Sequence, residues 1–524
     1  MKSKYLSIFL MVAMLFVLAA CGQKNTTGTA ESNRPSYGTE NGGQATTEEK
    51  NKYGGKLVYA LSNDVDGLDP HRTVSASTFQ VTNNIFDTLI GVTPKGELVP
   101  RLAKEWHSSE DGLTWTFSLQ ENVTFHNGRM LTADDVVYSF HRLKEKGSPR
   151  AKDYANIIEV KADGENKVIF SLGQADATFL SSLAMPWTAI VAKEADADMK
   201  NHPIGTGPYK LVEWVPQQSI TLQKNENYFV KGKPYLDEVT FQIIPEATTL
   251  LANLQSGTID IAGISGEQVD QIKNDPTLKV IESPMNNVQV LALNNKRKPL
   301  DDVRVRQAIS MAINKQQVID GANWGYGQAI GSHMAPTSPY YVDTTQILPY
   351  DLDKAKSLLK EAGYEKGFSM KLSLPEPYKI HVDSGQIIAD QLKKIGINLE
   401  IEMVEWGKWV QDVYTGRNYD MTIISHTGRL DPDAMLSRYQ IDSGENYFNY
   451  ENQEVDKAIK EAKITLDEKK RRQLYEFVQK TLAKEVPAVY IQAPYALIGM
   501  KKLVQGYEVY PIDIIELSNI YLEK

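Results

Sequence analysis

The stretch HTGRLDPD, residues 426 to 433, sets an imidazole, a hydroxyl, a guanidinium and two carboxylates close together in the chain. A planar guanidinium such as that of Arg429 suits a carboxylate or a phosphate better than an ammonium group. Nothing around it has the spacing of a covalent or hydrolytic centre. The chain has no His-Glu-x-x-His, no Gly-x-Ser-x-Gly and no phosphate-cradling Gly-x-x-x-x-Gly-Lys-Ser/Thr. GTGP at 205 to 208 has the glycines of a phosphate loop, but it carries Pro208 and lacks the lysine. Eight histidines lie scattered at 71, 107, 126, 141, 202, 333, 381 and 426, and no pair has metal-ligand spacing on a helix. Carboxylates are plentiful, so a glycosidase-type pair stays open on the sequence alone.

The elements that must position this loop can be read from their periodicity. FSMKLSL alternates, with Phe368, Met370, Leu372 and Leu374 on one side, and predicts a strand. DSGQIIADQLKKIG, from Asp383, has apolar Ile388, Leu392 and Ile395 and a closing Gly396, and predicts a helix capped by Asp383 with Gln386. INLEIEM alternates again at Ile397, Leu399, Ile401 and Met403. Strand, helix, strand with short joins is a βαβ unit with parallel strands. A third strand, MTIIS, ends at Ser425. Solutes of open α/β sheets bind beyond the carboxyl ends of the strands. Those ends are PEPY (375 to 378), EWGKW (405 to 409) and HTGRLDPD, and they supply Tyr378, Trp406, His426, Thr427, Gly428, Arg429 and Asp431 as candidate ligand-binding residues. Two competing readings stand beside this one. Trp406 and Trp409 could cap a core, and Arg429 could pair with Asp431 or Asp433. Further helices are predicted after Thr132, with Asp135 in capping-box position, along 301 to 317, and from Asp351 to Gly363.

Cys21 is the only cysteine in 524 residues, so the chain holds no intrachain disulfide. Before it come Lys2, Lys4, an apolar run from Ile8 to Leu18, and Ala19 and Ala20: the layout of a secretory signal. The apolar run is shorter than the roughly 20 residues of a membrane-spanning helix. Leu-Ala-Ala-Cys resembles the lipobox of bacterial lipoproteins, which implies lipidation of Cys21 and cleavage just before it. Residues 22 to 55 lack Ile, Leu, Val, Phe, Met and Trp and read as a flexible tether of roughly 30 Å. The remaining residues, about 470, are enough for two or three domains. Net charge is −9, and −11 once Lys2 and Lys4 leave with the signal, which argues against nucleic acid as a partner.

Residues 96 to 140, GELVPRLAKEWHSSEDGLTWTFSLQENVTFHNGRMLTADDVVYSF, resemble the signature region of the peptide, opine and nickel class of extracytoplasmic solute-binding proteins of ABC importers. PIGTGPYKLVEW (203 to 214), NENYF (225 to 229), LNNKRKPLDDVRVRQAISMAI (293 to 313), AKSLLKEAGY (355 to 364) and QLKKIGI (391 to 397) follow in that family's order. The resemblance implies an α/β, two-lobed, periplasmic-binding-protein-like fold with an extra α/β domain inserted in the first lobe. Lobe I is then 56–75, 205–285 and 492–524, the insert 76–204, and lobe II 286–491. Ser77 and Thr78, in the SAST loop, would face the ligand from lobe I. The function implied is capture of a peptide or peptide-like solute between closing lobes and delivery to an ABC permease. Such a chain would be a monomer without cofactor or catalysis, held by lipid on the outer face of the cell membrane. Peptide-binding members of the family commonly carry an Asp where this chain has Gly428, so another small anionic solute, an opine, or a metal chelate held through His426 is the alternative. A surface-anchored hydrolase and a purely adhesive lipoprotein are the remaining classes.

Overall fold

The computed structural model describes residues 52–376 and 378–524; Cys21, the signal-like segment and nearly all of the tether lie outside the described residues. Among the described residues no helix is long and apolar enough to cross a membrane.

The strand Asn287–Leu293 shows why this half of the chain forms a sheet buried on both faces. Val288, Val290 and Ala292 enter one core and Leu291 and Leu293 the other, as a period of two requires. One core is completed by helices Val303–Ala312, Leu352–Glu361 and Lys379–Lys393, through residues such as Ile309, Leu359 and Ile388. The other is completed by Gln453–Ile464 and Glu468–Glu485, through Val455, Ile459, Tyr475 and Leu482. Helix starts follow capping chemistry: the Asp302 carboxylate accepts from Arg304 N–H at 2.8 Å and Asp351 from Lys354 N–H at 2.9 Å.

The βαβ unit is present. Phe368–Pro375 and Ile397–Val404 pair in parallel from Phe368↔Ile397 to Pro375↔Val404, and Met421–Thr427 lies parallel on the other side of Phe368–Pro375. Two boundaries differ from expectation. The helix begins at Lys379, so Asp383 is no cap but sits inside it, paired with Lys379. Its first turn is held by tertiary contacts instead: the Gln289 amide donates to His381 Nδ1 at 3.0 Å and to Ser384 Oγ at 3.2 Å. The third strand runs to Thr427 because Val288 and Asn287 of its neighbour pair with His426 and Thr427.

The other half has a second sheet, in which Lys56–Leu61 lies parallel to Glu238–Ile243 and to Ile261–Gly263. Its faces are covered by two further cores, one of them closed by Ile515, Leu517 and Ile520 near the carboxyl terminus. The two sheets share the long strand Ala488–Lys501: its first part pairs with Asn287–Leu293 and its last part with Leu278–Pro284. The chain therefore passes from one half to the other twice, side by side, at residues 284–287 and 492–495.

Residues 103–172 build a separate antiparallel four-stranded sheet, with Phe117 and Phe170 packed against Phe140 of helix Ala133–Lys144. That helix has the expected start, the Asp135 carboxylate accepting from Thr132 N–H at 2.9 Å. The glycines of GTGP serve close packing. A Cβ on Gly205 or Gly207 would lie 2.0 or 2.5 Å from the backbone of Ile85.

Candidate functional site

The carboxyl ends of the three strands converge on a cavity of about 770 Å³. Tyr378, Trp406, His426, Thr427 and Arg429 line it, together with Val74 from the other half and Pro494 from the crossing at 492–495. Trp406 opens a short helical turn fixed by Glu405, whose carboxylate accepts from the N–H groups of Gly407 and Lys408 at 2.8 and 3.0 Å. The two tryptophans divide the competing readings between them. Trp409 is buried, with its indole N–H donated to Thr422 Oγ1 at 2.9 Å; Trp406 stacks on it at 5.2 Å and is 37 % exposed. Tyr378 meets Trp406 edge-on at 5.2 Å, so two half-exposed aromatic surfaces face the cavity.

His426 sits at the back. Its Nε2 is 3.2 Å from Tyr447 Oη, while its buried Nδ1 has no hydrogen-bond partner among the described residues. His333, distant in sequence, packs beside it with ring centroids 4.8 Å apart; it meets Tyr439 Oη through Nδ1 at 2.7 Å, and its Nε2 also lacks a partner among the described residues. Burial, with Arg438 nearby, holds both imidazoles well below their ordinary pKa, so both are neutral. Among the described residues no group of three or more His, Cys, Asp or Glu could hold a metal ion. A metal at His426 would take its remaining ligands from a chelating solute.

Arg429 is not the partner of its neighbours. Asp431 is buried against Arg471 at 2.6 Å, and Asp433 faces Lys463 at 3.6 Å. Among the described residues no carboxylate lies within 4.0 Å of the Arg429 guanidinium, which rests 4.9 Å from the ring centre of Trp187. Burial and then the nearby Arg150 charge lower its pKa from the ordinary guanidinium value. Gly428 is required by contact, since a Cβ there would lie 1.3 Å from the carbonyl oxygen of Asn286. The Asn286 amide in turn donates to the Arg429 carbonyl, which ties this loop to the crossing at 284–287.

Not every candidate comes together. Asp431 lines a neighbouring chamber rather than the main cavity. Ser77 and Thr78 begin helix Ala76–Thr82 and line neither; Ser77 Oγ donates to the Asp64 carbonyl at 3.0 Å and Thr78 Oγ1 to Asp66 at 2.7 Å, which leaves Val74 as the nearby residue at the cavity. Arg438, Glu445, Tyr414 and His381 line the cavity without having been singled out in the sequence.

Two sheets, each covered by helices, joined by paired crossings and meeting at strand-end loops, define the two-lobed binding-protein class. Residues 97–449 match the model of the bacterial extracellular solute-binding proteins, family 5 (middle), and the chain belongs to this family. It is 33 % identical over 510 residues to the dipeptide-binding protein of Escherichia coli strain K12, covering 89 % of this chain and 94 % of that one. The structure of DppA, an ABC transporter-associated periplasmic binding protein from Helicobacter pylori in complex with the peptide STSA, superposes with a TM-score of 0.79 at 28 % identity over 91 % of this chain and all of that one. CtaP, an ABC transporter substrate-binding protein of Listeria monocytogenes, gives a TM-score of 0.83 at 26 % identity over 90 % of this chain and all of that one. The family and two-lobed α/β fold expected from the motifs are borne out.

Proposed function

We propose that this chain captures a peptide or peptide-like solute in the strand-end cavity and delivers it, unaltered, to an ABC-transporter permease. The observation that carries this reading is the cavity itself. It offers open aromatic faces at Tyr378 and Trp406 for apolar side chains, and at Arg429 a guanidinium with no carboxylate within 4.0 Å among the described residues. Kinship to a dipeptide-binding protein and to a peptide complex supports the solute class. His426, Thr427 and the backbone around Gly428 would shape the inner end. Lobe I would comprise 56–75, 205–285 and 492–524, lobe II 286–491, and the insert 76–204. The same reading makes the chain a monomer tethered outside the membrane by lipid on Cys21. It assigns no catalytic group.

Native mass spectrometry of protein purified from its own cells tests the solute. A co-purifying peptide released intact on unfolding is the expected result. A co-purifying metal chelate or opine would move the chain to the alternative class, and a chemically altered peptide would favour a hydrolase. For the anchor, Cys21→Ser should abolish a diacylglycerol mass adduct and release the chain from membranes.

A further inference from the structure

Beside the main cavity lies a second chamber of about 270 Å³, and the two share Arg429, Ala434 and Glu445 as lining residues. One wall of the second chamber comes from the segment 76–204, with Arg150, Tyr154 and Trp187; the other comes from the loop after HTGR. Two guanidiniums converge there on one indole. The Arg150 and Arg429 carbons lie 4.3 and 4.9 Å from the ring centre of Trp187, within cation–π range. Trp187 is held in place, 8 % exposed, with its N–H donated to Tyr154 Oη at 2.8 Å and its ring against Phe79 at 5.6 Å.

Among the described residues the charges around this pair do not fully satisfy it, although the buried Asp513 carboxyl lies near enough to Arg429 to feel its charge. The Arg150 guanidinium has one ion pair among the described residues, with Asp153 at 3.6 Å, and its buried Nε has no hydrogen-bond partner there. Glu445 faces Arg438 at 3.8 Å, Asp431 is taken by Arg471 at 2.6 Å, and Asp433 faces Lys463 at 3.6 Å. Two like charges, partly withdrawn from water and left with unused N–H donors, are costly unless an anion joins them. Their planar forks match a carboxylate.

Resting on the peptide reading above, we infer that the Trp187 chamber is an anion subsite. There Arg150 and Arg429 together bind the carboxylate end of a peptide whose apolar part lies on Tyr378 and Trp406. The ligand then spans both chambers, and the segment 76–204 reads it directly through Arg150. The preferred class is a short peptide with a free carboxyl terminus, favoured further by an acidic last residue.

Two random tripeptide libraries, one of free acids and one of C-terminal amides, offered to wild type and to Arg150→Gln, separate the possibilities by mass spectrometry of the captured species. Wild type should retain the acids over the amides by roughly tenfold or more, the size of a charge-assisted contact. Arg150→Gln should lose that preference and bind acids and amides alike, with a melting temperature without ligand no lower than that of wild type. Equal capture of acids and amides by wild type, or an intact acid preference in Arg150→Gln, overturns the subsite and leaves the peptide reading standing. Capture of neither library by wild type removes the peptide reading, and the subsite with it.

Discussion

Arg429 carries a charge that no carboxylate within 4.0 Å among the described residues neutralises, although two aspartates follow it closely in sequence. Those aspartates are spoken for by Arg471 and Lys463, so removing the guanidinium breaks no internal ion pair. Arg429→Gln is therefore expected to weaken ligand binding by about ten- to a hundredfold, or about 1.5–3 kcal/mol, and to leave the melting point without ligand unchanged. Arg429→Lys should recover only part of the affinity, because an ammonium cannot bind bidentately. Calorimetry beside thermal melts separates the two effects; unchanged affinity with a lowered melting point would return Arg429 to a structural role. Gly428 behaves oppositely. A Cβ set 1.3 Å from the Asn286 carbonyl must displace backbone, so Gly428→Ala should lower stability by about 1–3 kcal/mol or more and disturb binding as well. A variant as stable as wild type would mean that the loop gives way freely.

At the scale of elements, the long periodic segments were legible and their ends were not. Alternation and helical spacing identified both strands and the helix of the βαβ unit, because burial on one or both faces imposes the pattern. The start of helix Lys379–Lys393 was misread because its first turn is fixed by Gln289, which lies in a distant strand, and not by a local cap. The strand-end rule brought Tyr378, Trp406, His426 and Arg429 to one cavity. It could not reach Arg438, which lines the same cavity, or His333 and Trp187, which only the folded chain brings against His426 and Arg429. Ser77 and Thr78 had no strand end to support them and turn inward to Asp64 and Asp66. The pairing of Asp431 with helix Glu468–Glu485 makes an element-scale prediction. Arg471→Met would leave a buried carboxylate uncompensated, which costs about 3–5 kcal/mol when one member of a buried pair is removed. Chemical denaturation should show that loss; a loss below 1 kcal/mol, roughly the worth of an exposed pair, would show that Asp431 finds water or another donor.

On the scale of the whole molecule, buried imidazoles couple stability to pH. Burial holds His71 and His381 at about 4, whereas an unfolded chain takes up these protons near 6.5. Between those values the unfolded state holds more protons, so stability falls as pH falls, by at most about 3 kcal/mol per group. His333 and His426 act in the same direction. Asp433, raised to about 6 by burial, opposes them, because the folded state takes up its proton first. His126, also held at about 4, joins the imidazoles, while burial raises Asp87, Asp431 and Asp513 in the same sense as Asp433. The five imidazoles outweigh these carboxyls, and the melting point without ligand should drop from about pH 7 to about pH 4.5. A flat or rising profile would mean that these rings reach water. The crossings carry the last prediction. Residues 284–287 and 492–495 pass side by side between the two sheets, and the register shifts between Gln289 and Val290 just beyond them. There the buried Gln492 amide donates to Gln289 Oε1 at 2.8 Å, and Gln289 holds His381 beside Tyr378 at the cavity wall. Motion at the crossings is thus hydrogen-bonded to the wall that receives the ligand, and a few terminal strand residues suffice to absorb a hinge rotation. A saturating peptide from the captured library should reduce the radius of gyration in small-angle scattering, and Gln289→Leu should weaken that response together with affinity. An unchanged radius with peptide bound would mean that the cavity is preformed and the crossings are rigid.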